Sequence, residues 1–445
     1  MCMNFLRSLA LCCLAGPLFG QAYFPGADAS WETRTPLEAG ADPALLAEAE
    51  AYAADNGSDA LVILKGGRIV SESYWNGTTR DTRMPLFSAS KAMVASVAGR
   101  LLEEGDFSSL DQPASDFLTE WQGVEGKEAI TLRQLLSMTS GLEGGKENLV
   151  RSLLAKSERF FATQLPQTHE PGTFWTYNNP AYRLLFPMIE EASGEGLPAA
   201  FRDRLFNPVG MSGVRWVWRT EEVGATTVVN YQYIEATALS AARFGLLAQR
   251  GGEWDGTQLV PADFMAEAVA PSQSLNPSYG FLWWLNGGAE TGGHQQLFDG
   301  LARAGPYFPD APPDAYAAVG KDDQVVAVLP SLDLVVVRLG ADPLGEGTEA
   351  VSPEQDVLLG RIARAFGYEG QEQALRPEIE ATETGVRLSW ASWVNRSYDL
   401  LTATELGADT FQPVHAEPLS GEGLPLSVEH PLDAPTRFFR VRANR

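Results

Sequence analysis

The feature that most constrains the fold is the placement of strand-like runs on either side of a long stretch with helical spacing. Residues Ala60–Lys65 and Arg68–Trp75 flank a two-residue glycine turn, a pattern typical of a hairpin. Val325–Leu329 and Leu334–Leu339 are apolar throughout apart from one arginine, which indicates two buried strands. This order predicts an α+β domain whose sheet is made from both ends of the chain, with a helical insertion between them.

Segments beside and between these strands have the apolar spacing of helices. They are residues 43–56, 88–104, 132–138, 150–163, 182–193, 198–205, 236–250 and 356–366. The helix that begins at Ser88 is predicted to end at Gly105, because glycine commonly follows the last helical residue.

The composition changes after Phe366. We predict that residues 23–368 form the main domain, 369–384 a linker and 385–445 a small all-β sandwich. The last segment has short strand-like runs separated by turn residues at a spacing of roughly eight to twelve residues, as in small sandwiches.

The first 22 residues are predicted to be a secretory signal. Arg7 precedes an apolar run from Leu9 to Phe19, which is too short to span a bilayer, and small residues follow. Cleavage is expected after Gly20 or Ala22. All three cysteines lie in this segment, so the mature chain has no disulfide, thiolate metal site or cysteine nucleophile. The protein is therefore expected to be exported to the periplasm or the extracellular space.

The charge of the chain excludes two classes of partner. The formal net charge is −24 at pH 7, whereas nucleic acids and anionic membranes both require basic surfaces. We expect no nucleic-acid partner, no membrane span once the signal is removed, and a small-molecule substrate.

Ser88 and Lys91 are the strongest candidates for catalytic chemistry. Residues three apart lie on one helical face, so both side chains can enter the same cavity. Ser88 falls in the first helical turn, where backbone N–H groups without helical partners favour a developing negative charge. A serine hydroxyl becomes a nucleophile when a base takes its proton, and a neutral lysine amine can do so. Burial favours that neutral form, and apolar residues surround the pair in the sequence.

Tyr177 and Asn179 are candidate partners of this pair. They follow a Pro-Gly turn and precede a helix, so a phenol and a carboxamide can both reach inward from one loop. A tyrosine near Lys91 can relay the proton and protonate the leaving group. An asparagine can hold a substrate carbonyl or the lysine amine. A second match to the pattern, Tyr74-Trp75-Asn76, lies at a strand end and is interpreted as a surface turn.

Other hydrolytic and metal chemistries lack their sequence patterns. The chain has no G-x-S-x-G elbow, which carries the nucleophile of an α/β-hydrolase triad. Its four histidines do not have the spacing of a metal site such as H-E-x-x-H, and His294 is interpreted as a loop residue. We therefore expect neither a metal site nor a cofactor.

The motifs Ser88-x-x-Lys91 and Tyr177-x-Asn179, followed by the strand region from Gly320, resemble the serine β-lactamase-related hydrolases. This family includes class C β-lactamases, D-amino acid carboxypeptidases, β-lactamase-like esterases and 6-aminohexanoate-dimer hydrolases. The resemblance extends over roughly residues 23–368, with supporting segments at 132–141, 171–179, 205–211 and 279–284. It implies a β-lactamase/transpeptidase-like fold, in which an antiparallel sheet flanked by helices accompanies a helical subdomain.

The resemblance also implies a role for each motif residue. Ser88 is expected to be the acylated nucleophile, Lys91 its base and Tyr177 the acid–base partner. Asn179 is expected to position the substrate and the lysine. One N–H of the oxyanion hole is expected from the nucleophile, and the other from the strand that carries the third motif.

The third motif departs from the Lys-Thr-Gly pattern of the antibiotic-directed members. The chain reads Gly320-Lys321-Asp322-Asp323-Gln324. This is closer to the G-x-x-G-Q form of the aminohexanoate-dimer hydrolases, with Asp323 in place of a glycine. Gly320 and Lys321 are expected to position the substrate, and the backbone near Lys321 to supply the second N–H. Two aspartates would oppose a substrate carboxylate, and they are interpreted here as a solvated turn.

The C-terminal segment resembles small fibronectin-III-like modules of secreted bacterial proteins, in runs such as Leu388-Ser-Trp390 and Phe438-Phe-Arg-Val441. No functional residue follows from that resemblance.

Together these observations predict an exported serine hydrolase that cleaves a small ester or amide through an acyl-enzyme on Ser88. Two alternatives stay open. One is a β-lactamase or D-amino acid carboxypeptidase, and the other is a largely non-catalytic binding protein of the same fold. The intact set of Ser88, Lys91 and Tyr177 favours an enzyme.

Overall fold

Strands lie near both ends of the main domain and helices fill its middle. The computed structural model describes residues 22–26, 30–155, 157–223, 227–286, 294–295, 302–303, 306–341, 353–369, 378–382, 384–390, 397–404, 411–415, 418–420, 426–431 and 438–444. The strands of the main domain are β1 (Ser58–Lys65), β2 (Arg68–Tyr74), β3 (Met84–Pro85), β4 (Val214–Val223), β5 (Thr227–Ala236), β6 (Glu253–Trp254), β7 (Thr257–Gln258), β8 (Trp284–Leu285), β9 (His294–Gln295), β10 (Ala302–Arg303), β11 (Tyr316–Gly320), β12 (Gln324–Leu329) and β13 (Leu334–Gly340).

The helices described are α1 (Pro43–Asp55), α2 (Lys91–Glu104), α3 (Leu132–Leu136), α4 (Lys146–Leu154), α5 (Glu158–Gln164), α6 (Asn179–Tyr182), α7 (Leu185–Ser193), α8 (Leu197–Phe201), α9 (Asn207–Val209), α10 (Ala238–Gln249), α11 (Ala262–Ala268) and α12 (Pro353–Ala365). Short 3₁₀ turns occur at Phe87–Ser90, Ala114–Asp116, Thr119–Trp121, Lys127–Ala129, Lys321–Asp323 and Pro330–Leu332, and one π-helical turn at Arg202–Phe206.

The central sheet joins the two ends of the domain, as the sequence predicts. Its strand order is β2-β1-β13-β12-β11-β8, and each neighbouring pair is antiparallel. β1 pairs with β13 in a register that places Val62 opposite Val337. The fold is therefore the predicted α+β arrangement with an antiparallel sheet.

Both faces of this sheet are covered. Neighbouring residues of a strand point to opposite faces, and every residue of β12 and β13 is buried. Helix α10 packs on β12 and β13 at Gly245, where a β-carbon would lie only 2.5 Å from Val335. α1 packs against β1 and against α12. The main hydrophobic core extends from this sheet into the helical region.

The helical region differs from the sequence expectation within residues 150–163, and α11 was not predicted. A single helix over residues 150–163 was expected, but α4 ends at Leu154 and a separate helix, α5, begins at Glu158. Ser157 accepts a hydrogen bond from the backbone N–H of Phe160 and so caps the start of α5. A serine that caps a new helix interrupts the preceding one.

The hairpin formed by β4 and β5 was not predicted. Its two strands pair antiparallel along ten residues each, and β5 also pairs with β3 just before the Ser88 turn. The corresponding sequence signal is the enrichment of Val214–Val223 in aromatic and β-branched residues, which favour strands.

The C-terminal segment contains two small antiparallel sheets. One consists of β14 (Glu378–Ala381), β15 (Gly385–Trp390) and β19 (Leu426–Pro431). The other consists of β16 (Ser397–Ala403), β17 (Gln412–Pro413), β18 (Leu419–Ser420) and β20 (Phe438–Asn444). Side chains of both sheets, among them Leu388, Trp390 and Tyr398, form one buried cluster.

Two predicted segments fall largely outside this description. The predicted signal at residues 1–22 lies outside the described residues except for its last position, and most of the predicted linker at 369–384 does as well. The domain boundaries therefore stay predictions. Within the part of the chain that the structure describes, no helix combines the length and the apolar character that a bilayer crossing requires.

Candidate active site

Ser88 and Lys91 lie within hydrogen-bond distance of each other where α2 begins. Ser88 belongs to the 3₁₀ turn Phe87–Ser90, and Lys91 is the first residue of α2. Lys91 Nζ lies 2.7 Å from Ser88 Oγ and donates a hydrogen bond to it. Ser88 is partly exposed, whereas Lys91 is only 4% exposed. A substrate can reach the hydroxyl while the amine stays shielded from water.

Phe87 gives this turn a strained backbone. Its φ of 45° lies in the left-handed region that favours glycine. Such a conformation costs on the order of 1–3 kcal/mol and persists where surrounding contacts enforce it. One such contact is the hydroxyl of Ser90, which donates a hydrogen bond of 2.6 Å to the carbonyl oxygen of Phe87. The turn that presents Ser88 is thereby fixed.

Two tyrosine rings flank the amine of Lys91. Lys91 Nζ lies 4.9 Å from the ring centroid of Tyr177 and 4.7 Å from that of Tyr182. Tyr177 was singled out from the sequence, but Tyr182 was not. The missed signal is its position three residues after Asn179 in α6, which places both on one helical face. Burial raises the pKa of Tyr182 well above its usual range, so that phenol stays protonated.

Aromatic side chains pack against the ring of Tyr177. Trp284 stacks on it with centroids 5.9 Å apart, and Tyr279 meets it edge-on at 6.2 Å. Tyr307 stacks in turn on Trp284 at 4.4 Å. Trp175 contacts Tyr279 and Trp284 edge-on. These supporting residues lie far apart in sequence, which is why local patterns did not identify Tyr307.

The side chain of Asn178 holds the local structure, whereas that of Asn179 is available to the site. Asn178 caps α6 by accepting a bond from the N–H of Ala181, and its amide nitrogen donates to the carbonyl oxygens of Leu142 and Glu143. Asn179 is buried beside Tyr177, and no described residue forms a hydrogen bond with its side chain. The carboxamide of Asn179 therefore has donors and acceptors available for a substrate.

Gly320 brings the end of β11 against the turn that contains Ser88. A β-carbon at Gly320 would lie 2.2 Å from the carbonyl oxygen of Leu86 and 3.0 Å from the N–H nitrogen of Ala89. Only glycine allows this approach. The strand end and the Ser88 turn are therefore neighbours, as an oxyanion hole shared between them requires.

Lys321 lies directly after Gly320, and its ammonium group forms an ion pair with the neighbouring Asp322. Its Nζ is 2.6 Å from Asp322 Oδ1 and 5.6 Å from the ring centroid of Phe87. Asp323 differs from the expectation of a solvated turn, because it is only 3% exposed. Residues 321–323 do form a turn between β11 and β12, and Asp322 is half-buried.

The described residues do not contain a metal-binding cluster. No group of three or more His, Cys, Asp or Glu side chains lies close enough to hold an ion within the described ranges. The site does contain the hydroxyl of Ser88, the amine of Lys91 and the phenol of Tyr177. The carboxamide of Asn179 belongs to the first residue of α6, which follows Tyr177 closely in the sequence. This combination can support nucleophilic attack with proton transfer.

Curated relatives match part of the chain. A D-aminopeptidase of Cereibacter sphaeroides (strain KD131) is 26% identical over 204 residues, a match that covers 41% of this chain. The chain spans only 37% of that relative's length.

Solved structures share the fold. A Bacillus anthracis protein provisionally named 6-aminohexanoate-dimer hydrolase superposes with a TM-score of 0.55 at 20% identity, covering 71% of this chain and 81% of its own. A penicillin-binding protein of Bacillus halodurans gives a TM-score of 0.51 at 19% identity, covering 72% of this chain and 98% of its own. These identities are low, so the likeness concerns the fold alone.

A family model named Beta-lactamase matches residues 46–360. That range contains all six residues singled out from the sequence, namely Ser88, Lys91, Tyr177, Asn179, Gly320 and Lys321. It also covers well over half of the chain and every strand of the central sheet. The chain belongs to the Beta-lactamase family of serine hydrolases.

Proposed function

We propose that this protein cleaves a small ester or amide through an acyl-enzyme formed on Ser88. The observation that carries the proposal is the distance of 2.7 Å between Lys91 Nζ and Ser88 Oγ, in a site where the amine is buried and the hydroxyl is not. A lysine in that position can accept the serine proton when it is neutral.

The first half-reaction transfers the acyl group to the enzyme. Lys91 accepts the hydroxyl proton as Ser88 Oγ bonds to the substrate carbonyl carbon, which gives a tetrahedral oxyanion. The N–H of Ser88 and a backbone N–H near Lys321 stabilise the negative charge. The bond to the leaving group then breaks, and the leaving group receives its proton from Lys91 by way of Tyr177.

The second half-reaction releases the acid. Water attacks the ester carbon of the acyl-enzyme and gives up a proton to the Tyr177–Lys91 pair. The bond to Ser88 Oγ breaks, and the serine regains its proton. The net change is addition of one water across the ester or amide bond. Asn179 is proposed to hold the part of the substrate that carries the carbonyl group during both half-reactions.

The names of similar proteins support an amide as one substrate class. One relative is a D-aminopeptidase, and one structural neighbour is provisionally named a 6-aminohexanoate-dimer hydrolase. A β-lactam or a peptide carboxylate is less favoured, because the Lys321 ammonium is already paired with Asp322. Nitrophenyl esters, linear amides and a chromogenic cephalosporin, compared in one assay, separate these classes.

Covalent labelling tests the proposal. A serine-directed phosphonate is expected to add once to the wild-type protein, with the added mass on Ser88. Ser88→Ala should abolish the label. Ser96→Ala is the matched control, because Ser96 lies in α2, directly after the Ser88 turn, but its hydroxyl donates to the carbonyl oxygen of Ala92. A folded wild-type protein that stays unlabelled would contradict the proposal.

Pre-steady-state kinetics distinguish an enzyme from a binding protein of the same fold. A nitrophenyl ester is expected to give a burst of nitrophenol equal to the enzyme concentration, followed by slower turnover. A protein that only binds the ester would give no burst.

We also propose that the protein is exported. The support is the charged residue Arg7 ahead of the apolar run from Leu9 to Phe19. Expression in a bacterial host should yield a mature protein outside the cytoplasm whose first residue follows Gly20 or Ala22. An intact N-terminus on protein retained in the cytoplasm would contradict export.

A further inference from the structure

A buried arginine connects β13 to the turn that follows Gly320. Arg338 is only 1% exposed. Its Nη1 donates hydrogen bonds to the carbonyl oxygens of Asp322 at 2.9 Å and Asp323 at 3.0 Å. One guanidinium nitrogen therefore holds two consecutive peptide units of the third motif.

The other donors of Arg338 fix it to the sheet edge. Nε donates to Ser58 Oγ at 3.0 Å, and Nη2 donates to the carbonyl oxygens of Asn56 at 3.2 Å and Ala341 at 2.8 Å. A guanidinium group has five N–H donors in a rigid plane, and five hydrogen bonds are present here. The arginine has no freedom to release the turn without losing several of them.

The turn requires such support. Asp322 and Asp323 have φ values of 61° and 56°, so two consecutive residues with side chains adopt the left-handed conformation. Each costs on the order of 1–3 kcal/mol unless its surroundings enforce it. Gln324 adds a second anchor, since its amide nitrogen donates to the carbonyl oxygens of Asp322 at 3.1 Å and Gly340 at 2.6 Å.

These bonds also set the direction of the backbone N–H groups. The C=O and N–H of one planar peptide unit point in opposite directions. Because the carbonyl of Asp322 points at Arg338, the N–H of Asp323 points away from it. The same turn contacts the Phe87–Ser90 turn that presents Ser88. Arg338 therefore fixes the orientation of the two peptide units that carry the N–H groups of Asp323 and Gln324, in a turn that lies beside the Ser88 turn.

We propose that Arg338 is a positioning residue for catalysis, which holds the Lys321–Asp323 turn in the shape that directs a backbone N–H of this turn at the oxyanion formed on Ser88. This inference rests on the proposed function, because it assumes an acyl-transfer reaction at Ser88. Arg338 itself touches neither Ser88 nor Lys91 through any described hydrogen bond. It acts through the turn.

Arg243 provides a matched control. It is also a buried arginine whose guanidinium donates to backbone carbonyl oxygens, those of Pro25, Gly26 and Val209. None of these belongs to the proposed site. Variants at Arg243 therefore report the effect of losing a buried arginine without disturbing the third motif.

The experiment compares Arg338→Gln, Arg338→Lys, Arg338→Ala and Arg243→Gln in the full chain. We measure kcat and KM on a nitrophenyl ester, together with the melting temperature. Arg338→Gln is expected to lower kcat about 10- to 100-fold with KM little changed, because an oxyanion donor acts mainly in the transition state. Arg338→Lys should lose less, and added guanidinium ion should restore part of the kcat of Arg338→Ala. Arg243→Gln should lower the melting temperature while kcat at 25 °C stays near wild type.

Several outcomes would overturn the inference. One is a folded Arg338→Gln with wild-type kcat, and another is a kcat loss no larger than that of Arg243→Gln. If Arg338→Gln fails to fold, Gln324→Met decides, because it removes the second anchor of Asp322; a lower kcat supports the inference and an unchanged kcat overturns it. Failure of the proposed function is distinguishable, since the wild-type protein would then give no phosphonate adduct at Ser88.

Discussion

Gly320 and Leu86 approach each other so closely that a β-carbon on Gly320 would lie 2.2 Å from the carbonyl oxygen of Leu86. This contact joins the strand that carries the third motif to the turn that carries Ser88. The backbone at Gly320 and the backbone of the Ser88 turn are therefore in direct contact.

Gly320→Ala is expected to reduce kcat/KM by about 100-fold, because the methyl group must push the two backbone segments apart and shifts near 1 Å have effects of this size. The matched control is Gly196→Ala. Gly196 has an ordinary φ of −67°, and its nearest neighbour to an added β-carbon is Glu190 Oε1 at 4.0 Å. Steady-state kinetics on a nitrophenyl ester check the prediction, and equal activity of both variants would contradict it.

Lys91→Met is expected to lower kcat by about 10³-fold or more, because the general base is lost, while the protein stays folded. A methionine fills a similar volume, and exchanging a buried amine for an apolar side chain is often neutral or stabilising. Lys127→Met serves as the control. Lys127 is partly buried and donates to the carbonyl oxygen of Thr163, away from Ser88. Ester kinetics and thermal unfolding together check the prediction, which would be wrong if both lysine variants kept wild-type kcat.

Tyr177→Phe and Tyr182→Phe should separate the two phenols beside Lys91. The first is expected to lower kcat by about 10²- to 10⁴-fold, since it removes the proton relay. The second should change kcat by less than about fivefold and leave the pH–rate profile unchanged. Burial keeps the pKa of Tyr182 far above the working pH, so its phenol does not titrate there. A pH–kcat profile of both variants is the measurement, and a loss confined to Tyr182→Phe would reverse the assignment.

Asn178→Ala is expected to lower the stability of the protein, whereas Asn179→Ala is expected to lower its activity. Asn178→Ala removes a helix cap and two bonds to buried carbonyl oxygens, so it is expected to cost about 1–3 kcal/mol of unfolding free energy. Asn179→Ala should leave stability nearly unchanged but lower kcat/KM about tenfold, through a lost substrate hydrogen bond. Chemical denaturation and ester kinetics, measured on both, check the pair. Equal stability losses would argue against separate roles.

The sequence predicted those features that depend on local pattern. The β1–β2 hairpin follows from its glycine turn, and the end of α2 at Gly105 follows from the left-handed cap that glycine adopts there. Ser88 and Lys91 were identified because residues three apart on a helix lie on the same helical face.

Other features depend on residues that only the fold brings together. Nothing near Arg338 in the sequence indicates that its guanidinium holds the turn at Asp322, since Arg338 lies on β13 and Asp322 in the turn between β11 and β12. Tyr307 was missed for the same reason, because it meets Trp284 only through stacking across the site. The burial of Asp323 was likewise invisible in a turn that looks hydrophilic.

The pairing of β1 with β13 has a consequence for synthesis of the chain. The hairpin of β1 and β2 is made early by the ribosome, but β13, the strand that pairs with β1, ends at Gly340. The central sheet, and with it the strand end at Gly320 that lies against the Ser88 turn, can therefore assemble only after about three quarters of the chain has been made.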